Sequence, residues 1–130
     1  MENKDYTVSE TPDQWVIVKI EESGYLSSSP GPLYKVFGSW FGGYLDGDRW
    51  KINSGITKVE EQGDYYYFFG YSGSCYKCHK KGYGTGTSYT SGVLQNVIDT
   101  IEKRDDGSMI SVLPEENIND IVKPNHERIN

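Results

Sequence analysis

The sequence predicts an α+β fold in which a curved antiparallel sheet of about five strands, or a small open barrel, packs against one amphipathic helix. Short apolar and aromatic runs alternate with turn sequences over residues 15–80, which is typical of antiparallel strands. Gly63-Asp64 between two such runs is the clearest hairpin signal. After these runs in the sequence, one stretch carries its apolar residues at helical spacing. Together these patterns favour a sheet followed by a helix.

The strands are predicted in order along the chain. Trp15–Ile20 is apolar at nearly every position, so we expect it to be covered on both faces. A loop with two prolines at residues 27–32 cannot continue a strand ladder. The remaining predicted strands are separated by glycine-rich turns and comprise Leu33–Phe41, Arg49–Ile52, Ile56–Gln62, Tyr65–Tyr71 and Ser74–Lys80.

One long helix is predicted after the glycine-rich segment at residues 82–92. Ser91 or Gly92 is expected to cap its start, and Gly107 its end. Its single apolar stripe comprises Val93, Leu94, Val97, Ile98 and Ile101. After the helix we expect an edge strand over 109–113 and a short helix over 114–122.

A length of 130 residues predicts a single domain, here placed at residues 14–122 between a flexible acidic segment at 1–13 and a flexible tail at 123–130. The net charge of −6 is uneven, because both flanks are acidic while residues 34–92 carry seven bases against five acids. We therefore expect no long nucleic acid as a partner, although a small anion could bind to the central, less acidic part of the chain.

No run approaches the roughly 18–20 apolar residues of a membrane span. Without an apolar leader, a cytoplasmic protein is expected.

The motif Cys75-Tyr76-Lys77-Cys78-His79 has the spacing of a c-type haem attachment site, and its Cys and His could also contribute to a zinc site. The motif lies in a predicted strand, where alternation sends Cys75 and Cys78 to opposite faces. A zinc site would also need a fourth ligand. We therefore expect no metal and no cofactor here, and small buried cysteines in a sheet instead.

The segment from Lys80 to Ser88 is the best candidate for an anion site. Two lysines precede glycines that let backbone N–H groups converge, and hydroxyls add further donors. The predicted ligand-binding residues here are Lys80, Lys81, Gly82, Tyr83, Gly84, Thr85, Gly86, Thr87 and Ser88. The alternative is a flexible connection between sheet and helix.

A second candidate site combines rings with turns. Trp40, Tyr44 and Trp50 surround glycine-rich turns beside Arg49, and could form a stacking cage for a base or a sugar. The alternative is that the two tryptophans belong to the core.

The aromatic run at residues 65–69 places rings on both faces of its strand. Because one helix covers one face, the other face would need a second subunit or a partner. This predicts a homo-oligomer or a partner complex.

Catalytic residues are not predicted. No Ser, His and Asp set is apparent, and Glu60 and Glu61 alternate across a strand instead of facing one cleft. An enzyme acting on a nucleotide, with His79 as its base, is the weakest alternative.

Three stretches resemble small accessory proteins encoded by tailed bacteriophages. They read YKVFGSWFGGYL from Tyr34, WKINSGITKVEE from Trp50, and GYSGSCYKCHKKGY within Tyr67–Tyr83. The resemblance covers under half of the chain and carries over no functional residue. It implies a counter-defence or host-takeover factor acting in the host cytoplasm.

The prediction for function is therefore a non-enzymatic binding protein that inhibits or sequesters a host protein through its aromatic and glycine-rich surface. The alternative is a sponge for a phosphorylated or nucleotide-derived signalling molecule. In that case Lys80 and Lys81 would hold phosphate, and Trp40, Tyr44 or Trp50 would stack on the base.

Overall fold

The computed structural model describes residues 6–21, 32–41, 49–85, 88–103 and 109–121. Within them the elements follow in the order β1 (Gln14–Glu21), β2 (Leu33–Trp40), β3 (Arg49–Ile52), β4 (Ile56–Gln62), β5 (Tyr65–Gly70), β6 (Cys75–His79), the 3₁₀-helix η1 (Lys80–Gly82), α1 (Ser88–Glu102), β7 (Met109–Val112) and the 3₁₀-helix η2 (Glu115–Ile121).

The strands form two antiparallel sheets. The first has the order β3-β2-β1-β7, and the second has the order β4-β5-β6. This confirms the predicted α+β class with one helix, although seven described strands replace the expected five. Among the described strands neither sheet closes into a barrel. The edge strand predicted over 109–113 is β7.

β1 lies at the centre of the molecule and is buried on both faces, as its continuous apolar run predicts. Val16, Val18 and Ile20 face α1, whereas Trp15 and Ile17 face the second sheet. Alternation along a strand produces this division. The molecule therefore has three layers, with α1 on one side of the four-stranded sheet and β4-β5-β6 on the other.

Each interface between layers has its own apolar cluster. The helix side joins β1, β2, α1 and β7 through the buried residues Val16, Val18, Ile20, Phe37, Leu94, Ile101 and Ile110. The space between the sheets is filled by Trp15, Ile17, Val36, Ile56, Phe68, Tyr76, Cys78, Leu113, Ile118 and Ile121. Because η2 supplies the last two of these, it closes one end of the second cluster.

The second sheet corrects the expectation that a lone helix would leave one sheet face uncovered. Phe68 is fully buried between the sheets, with Tyr66 packed beside it. On the outer face Tyr67 and Phe69 are half-buried, and the ring of Tyr6 packs 5.0 Å from each. The aromatic run is thus covered largely by its own chain. Self-association loses this support and stays a prediction.

The helix α1 begins at Ser88, three residues before the predicted cap at Ser91. Its apolar stripe is confirmed, since Leu94 and Ile101 are buried against the first sheet. Gly107, the predicted C-terminal cap, lies outside the described residues. No helix in the described part of the chain is long and apolar enough to cross a membrane.

The residues before β1 contact the second sheet. Ser9 and Glu10 donate backbone hydrogen bonds to the carbonyl of Cys75, and Lys77 donates to the carbonyl of Glu10. These bonds place residues 9–10 along the edge of β6. The domain boundaries at 13 and 122 stay predictions.

Candidate functional site

Among the described strands, β3 lies at an edge of the first sheet, and its register fixes which way its backbone points. Ser39 pairs with Trp50, and Phe37 pairs with Ile52. The carbonyl of Ser39 accepts from the N–H of Asp13 at 2.9 Å, so it points towards β1 and away from β3. In an antiparallel ladder, Trp50 must then be in a pair without hydrogen bonds. Its N–H and C=O point to the outer edge of β3.

The side chain of Trp50 lies on the helix side of the sheet. It stacks on Phe37 with ring centroids 5.6 Å apart and planes inclined by 15°. Phe37 is almost fully buried, while Trp50 keeps 36% of its surface exposed. The indole of Trp50 is therefore held in place by the buried ring of Phe37, and part of its surface remains accessible to solvent.

A groove of about 510 Å³ opens between β3 and α1. It is lined by Trp50, Val93, Asn96, Val97, Thr100 and Ile101. Four of these six described residues are apolar, and none of the six has a side chain that titrates near neutral pH. The groove suits an apolar ligand, with one amide and one hydroxyl to orient it.

The predicted stacking cage is divided between the two faces of the sheet. Trp40 pairs with Arg49, so both lie on the face opposite Trp50. The Arg49 guanidinium lies 5.1 Å from the centroid of the Trp40 ring, and the indole N–H donates to the carbonyl of Thr11 at 3.0 Å. Tyr44 lies outside the described residues. The structure thus brings Trp40 and Arg49 together but not Trp50.

Lys80, the first residue of the predicted anion site, already has a counter-charge. Its ammonium donates to the Glu61 carboxylate and lies 5.2 Å from the centroid of the Tyr66 ring. The hydrogen bond to Glu61 is the main cause that raises the pKa of Lys80. Lys81 follows with an exposed side chain, and its backbone N–H donates to Nδ1 of His79 at 3.0 Å. Of the two lysines, only Lys81 keeps its ammonium free of a partner within the described residues.

The glycine-rich segment that follows is attached to the sheets. A Cβ on Gly82 would lie 2.9 Å from the carbonyl oxygen of Asp13, so the backbones meet closely there. The Tyr83 hydroxyl donates to the carbonyl of Leu113. The N–H of Gly84 donates to the carbonyl of Trp15 at 2.7 Å. These bonds attach the described part of the segment to β1 and to the residue after β7, and ligand binding by this segment stays a prediction.

The end of this segment meets the first turn of α1. The hydroxyls of Thr85 and Ser91 lie 2.5 Å apart, and the buried Thr90 donates to the carbonyl of Thr85 at 2.7 Å. Gly86 and Thr87 lie outside the described residues, and Ser88 is described only as the first residue of the helix. The described part shows no gathering of donors around an open space.

Cys75 and Cys78 are both free and buried, on opposite faces of β6 as alternation requires. Cys78 lies in the cluster between the sheets. Cys75 lies on the outer face, and its backbone N–H donates to the hydroxyl of Ser9 at 3.0 Å. Burial raises the pKa of both thiols. No group of three metal-ligating side chains comes together among the described residues.

Sequence reasoning missed the groove because its helix residues look like core positions. Val93 and Val97 belong to the predicted apolar stripe, yet they are only half-buried. The available signal was Trp50, a large ring in a four-residue strand between Arg49 and Lys51. Aromatic residues and arginine are enriched in protein interfaces relative to the rest of the surface.

Comparison with family models, with curated proteins and with solved structures found no match to this chain. The resemblance to phage accessory proteins, the host partner and the phosphorylated ligand therefore stay predictions.

Proposed function

We propose that this chain is a non-enzymatic binding protein that holds an apolar segment of a partner protein in the groove between β3 and α1. The observation that carries the proposal is the partly exposed Trp50, stacked on Phe37 at the wall of an apolar groove of about 510 Å³. Tryptophan in such a position often dominates the binding energy of a protein interface.

The chemistry of the groove favours a protein partner over a phosphorylated small molecule. None of the described residues that line it is a cation that could hold a phosphate. Lys80, which the phosphate hypothesis required, donates to Glu61 on another part of the surface. An apolar side chain entering the groove would instead gain the free energy of burial, at about 25 cal/mol per Å².

The same lining argues for binding without turnover. A general acid or base needs a titratable group within hydrogen-bond reach of the reacting atoms. Among the described residues of the groove, Trp50, Asn96 and Thr100 carry polar side-chain atoms, and none of the three titrates near neutral pH. If the chain is encoded by a phage, as the resemblance implies, the partner is a protein of the host cytoplasm and the effect is to occupy it.

The test is selection of peptides from a random display library against the folded protein, followed by affinity measurements with matched variants. Trp50→Ala removes the ring of the groove, and Thr100→Arg places a charge at an exposed position of its rim. Trp40→Ala is the control, because it deletes the same side chain on the opposite face of the sheet. Circular dichroism checks that each variant is folded.

We expect Trp50→Ala to weaken the selected peptides by about 30-fold or more, the usual loss at a dominant interface residue. Thr100→Arg should weaken them at least tenfold, while Trp40→Ala leaves the affinity within about threefold. Peptides that bind Trp50→Ala and Thr100→Arg as tightly as the unaltered protein would show that the groove is not the binding site.

A further inference from the structure

We infer that the partner segment binds as an added β-strand, pairing with the open edge of β3 and inserting alternate apolar side chains into the groove. This inference rests on the proposed function and specifies its ligand: an extended peptide in which apolar and acidic residues alternate.

The backbone of β3 supplies the first argument. The N–H of Asn53 donates to the carbonyl of Val36 at 3.0 Å, which directs Asn53 towards β2. Successive residues of an antiparallel strand point to opposite edges, so Ile52 and Trp50 point outward. The carbonyl of Ser39, which points towards β1, leads independently to the same assignment for Trp50. Two N–H and two C=O groups at this edge have no partner among the described residues.

The side chains of the same two residues supply the second argument. Trp50 and Ile52 both lie on the helix side, since Ile52 packs on the cluster between the first sheet and α1. Of the described residues that line the groove, Trp50 belongs to β3 and the other five belong to α1. A strand placed about 4.8 Å beyond β3 would continue the sheet beside this groove. Every second side chain of the added strand would then point to the α1 side. Strand addition beside an apolar pocket is a recurrent way of recognising a peptide.

Charge supplies the third argument. The opposite face of β3 carries Arg49 and Lys51, both exposed, and the strand has no acidic residue. This makes a basic edge on a chain whose net charge is −6. Lys51 contacts Glu10, while Arg49 contacts the ring of Trp40 and makes no ion pair within the described residues. Acidic side chains on the face of the added strand that points away from α1 would lie across from these cations.

The same charges argue against a second copy of this chain as the occupant of this edge. If β3 paired with β3 of another copy in antiparallel fashion, Arg49 and Lys51 would lie among their own like charges. Like charges placed opposite each other destabilise a strand pair. The structure therefore favours a different chain with an acidic, alternating segment.

The experiment uses three acetylated and amidated eight-residue probes with the full-length protein. The first alternates Val and Glu. The second contains the same residues arranged in pairs, so that it cannot present one apolar face as a strand. The third alternates Val and Lys. Binding is measured at low salt from the amide signals of the ¹⁵N-labelled protein, which also report protection of the Trp50 and Ile52 amides from exchange.

We expect the Val/Glu probe to bind at least tenfold more tightly than the other two, and to protect the amides of Trp50 and Ile52. If the paired arrangement binds equally well and Trp50→Ala still weakens both probes, strand addition is wrong but the proposed function stands. If neither the designed probes nor the library peptides distinguish Trp50→Ala from the unaltered protein, the proposed function itself is wrong.

Backbone N-methylation of the Val/Glu probe tests the strand pairing directly. In antiparallel addition the residues opposite Trp50 and Ile52 are the apolar ones, and their N–H groups point at β3. Methylating the valine amides should then abolish binding, while methylating the glutamate amides leaves it. In parallel addition the two sets exchange roles. Equal effects of the two sets would overturn the inference.

A protein variant provides a second check on the same hydrogen bonds. Ile52→Pro removes an N–H that points to the open edge, so the ladder to β2 keeps its bonds. Ile52→Val is the matched control, because it shortens the side chain and retains the N–H. We expect Ile52→Pro to weaken the Val/Glu probe at least tenfold more than Ile52→Val does. Similar affinities of two folded variants would contradict strand addition.

Discussion

The ring of Tyr83 meets the indole of Trp15 edge-on, with centroids 4.9 Å apart and planes at 89°. Its hydroxyl donates to the carbonyl of Leu113 and accepts from the N–H of Ile17 at 3.4 Å. One side chain thus joins the segment before α1, the central strand β1 and the residue after β7. This arrangement gives Tyr83 a structural role at a position where the sequence predicted ligand binding.

The first prediction follows from that hydroxyl. Tyr83→Phe keeps the ring on Trp15 but leaves the Leu113 carbonyl without its donor. An unsatisfied polar group in a buried setting costs about 1–3 kcal/mol. We expect a loss of that size in the free energy of unfolding, measured with urea. Tyr89→Phe is the control, because Tyr89 is 52% exposed, and it should change stability by less than about 0.5 kcal/mol. Equal stability of the two variants would contradict the role assigned to Tyr83.

Most of the elements could be predicted from local patterns, but the division into two sheets could not. The turn at residues 53–55 predicts that β3 ends, yet nothing in it says which sheet the next strand joins. In the structure the side chain of Asn53 accepts from the N–H of Val36 at 2.9 Å and ends the first sheet there. The chain then crosses to form β4. This outcome depends on which apolar faces pack together, and that is a property of the whole chain.

The candidate site was harder to predict because it depends on strand register. Trp40 and Trp50 are close in sequence and flank one connection, which made a shared cage reasonable. Register places Arg49 opposite Trp40, so Trp50 points to the other face. A shift of one residue would reverse this result. The ion pair of Lys80 with Glu61 likewise depends on the folding back of the β4-β5-β6 sheet.

The second prediction concerns alkaline pH. Burial is the main cause that raises the pKa of Tyr76 to about 12, and the charge of Glu10 adds to it. A group whose pKa is raised by folding keeps its proton up to a higher pH in the folded state than in the unfolded state. Its contribution is complete below the unfolded pKa of 10.0 and is lost as the pH rises towards 12. We expect the free energy of unfolding to fall with pH over this range.

Tyr76→Phe should make that decline less steep, because the variant has no hydroxyl to ionise at this position. Urea unfolding at several values between pH 9 and pH 12 measures the slope. Tyr71→Phe is the control, since Tyr71 is 68% exposed. A slope that is the same for Tyr76→Phe and for the unaltered protein would show that Tyr76 does not cause the decline.

The third prediction contrasts two glycines. A Cβ on Gly82 would lie 2.9 Å from the Asp13 carbonyl oxygen and 3.5 Å from the Trp15 ring, so Gly82→Ala forces backbone apart. Gly92 lies on the exposed side of α1, and a Cβ there meets nothing within 4 Å. We expect Gly82→Ala to cost about 1–3 kcal/mol in stability, as overpacking does. Gly92→Ala should add about 0.5–1 kcal/mol, because alanine favours a helix interior. Thermal unfolding measures both, and shifts of the same sign would contradict this reading.

The fourth prediction concerns the two thiols, which lie on opposite faces of β6 at 2% and 0% exposure. The thiolate is the reactive form, and burial raises the pKa of both groups, so iodoacetamide should label neither in the native protein at neutral pH. Cys75 is bonded through its N–H to Ser9 of the N-terminal segment, whereas Cys78 lies between the two sheets.

Local opening of the N-terminal segment exposes Cys75 alone, so Cys75 should react sooner than Cys78 as urea is added. Mass spectrometry of the single variants Cys75→Ser and Cys78→Ser assigns each rate. Rapid labelling of Cys78 without denaturant would show that this thiol is accessible and reactive in the native protein. Protection of both thiols by equimolar zinc, at urea concentrations where they otherwise react, would show that they bind metal. Either result would contradict the prediction.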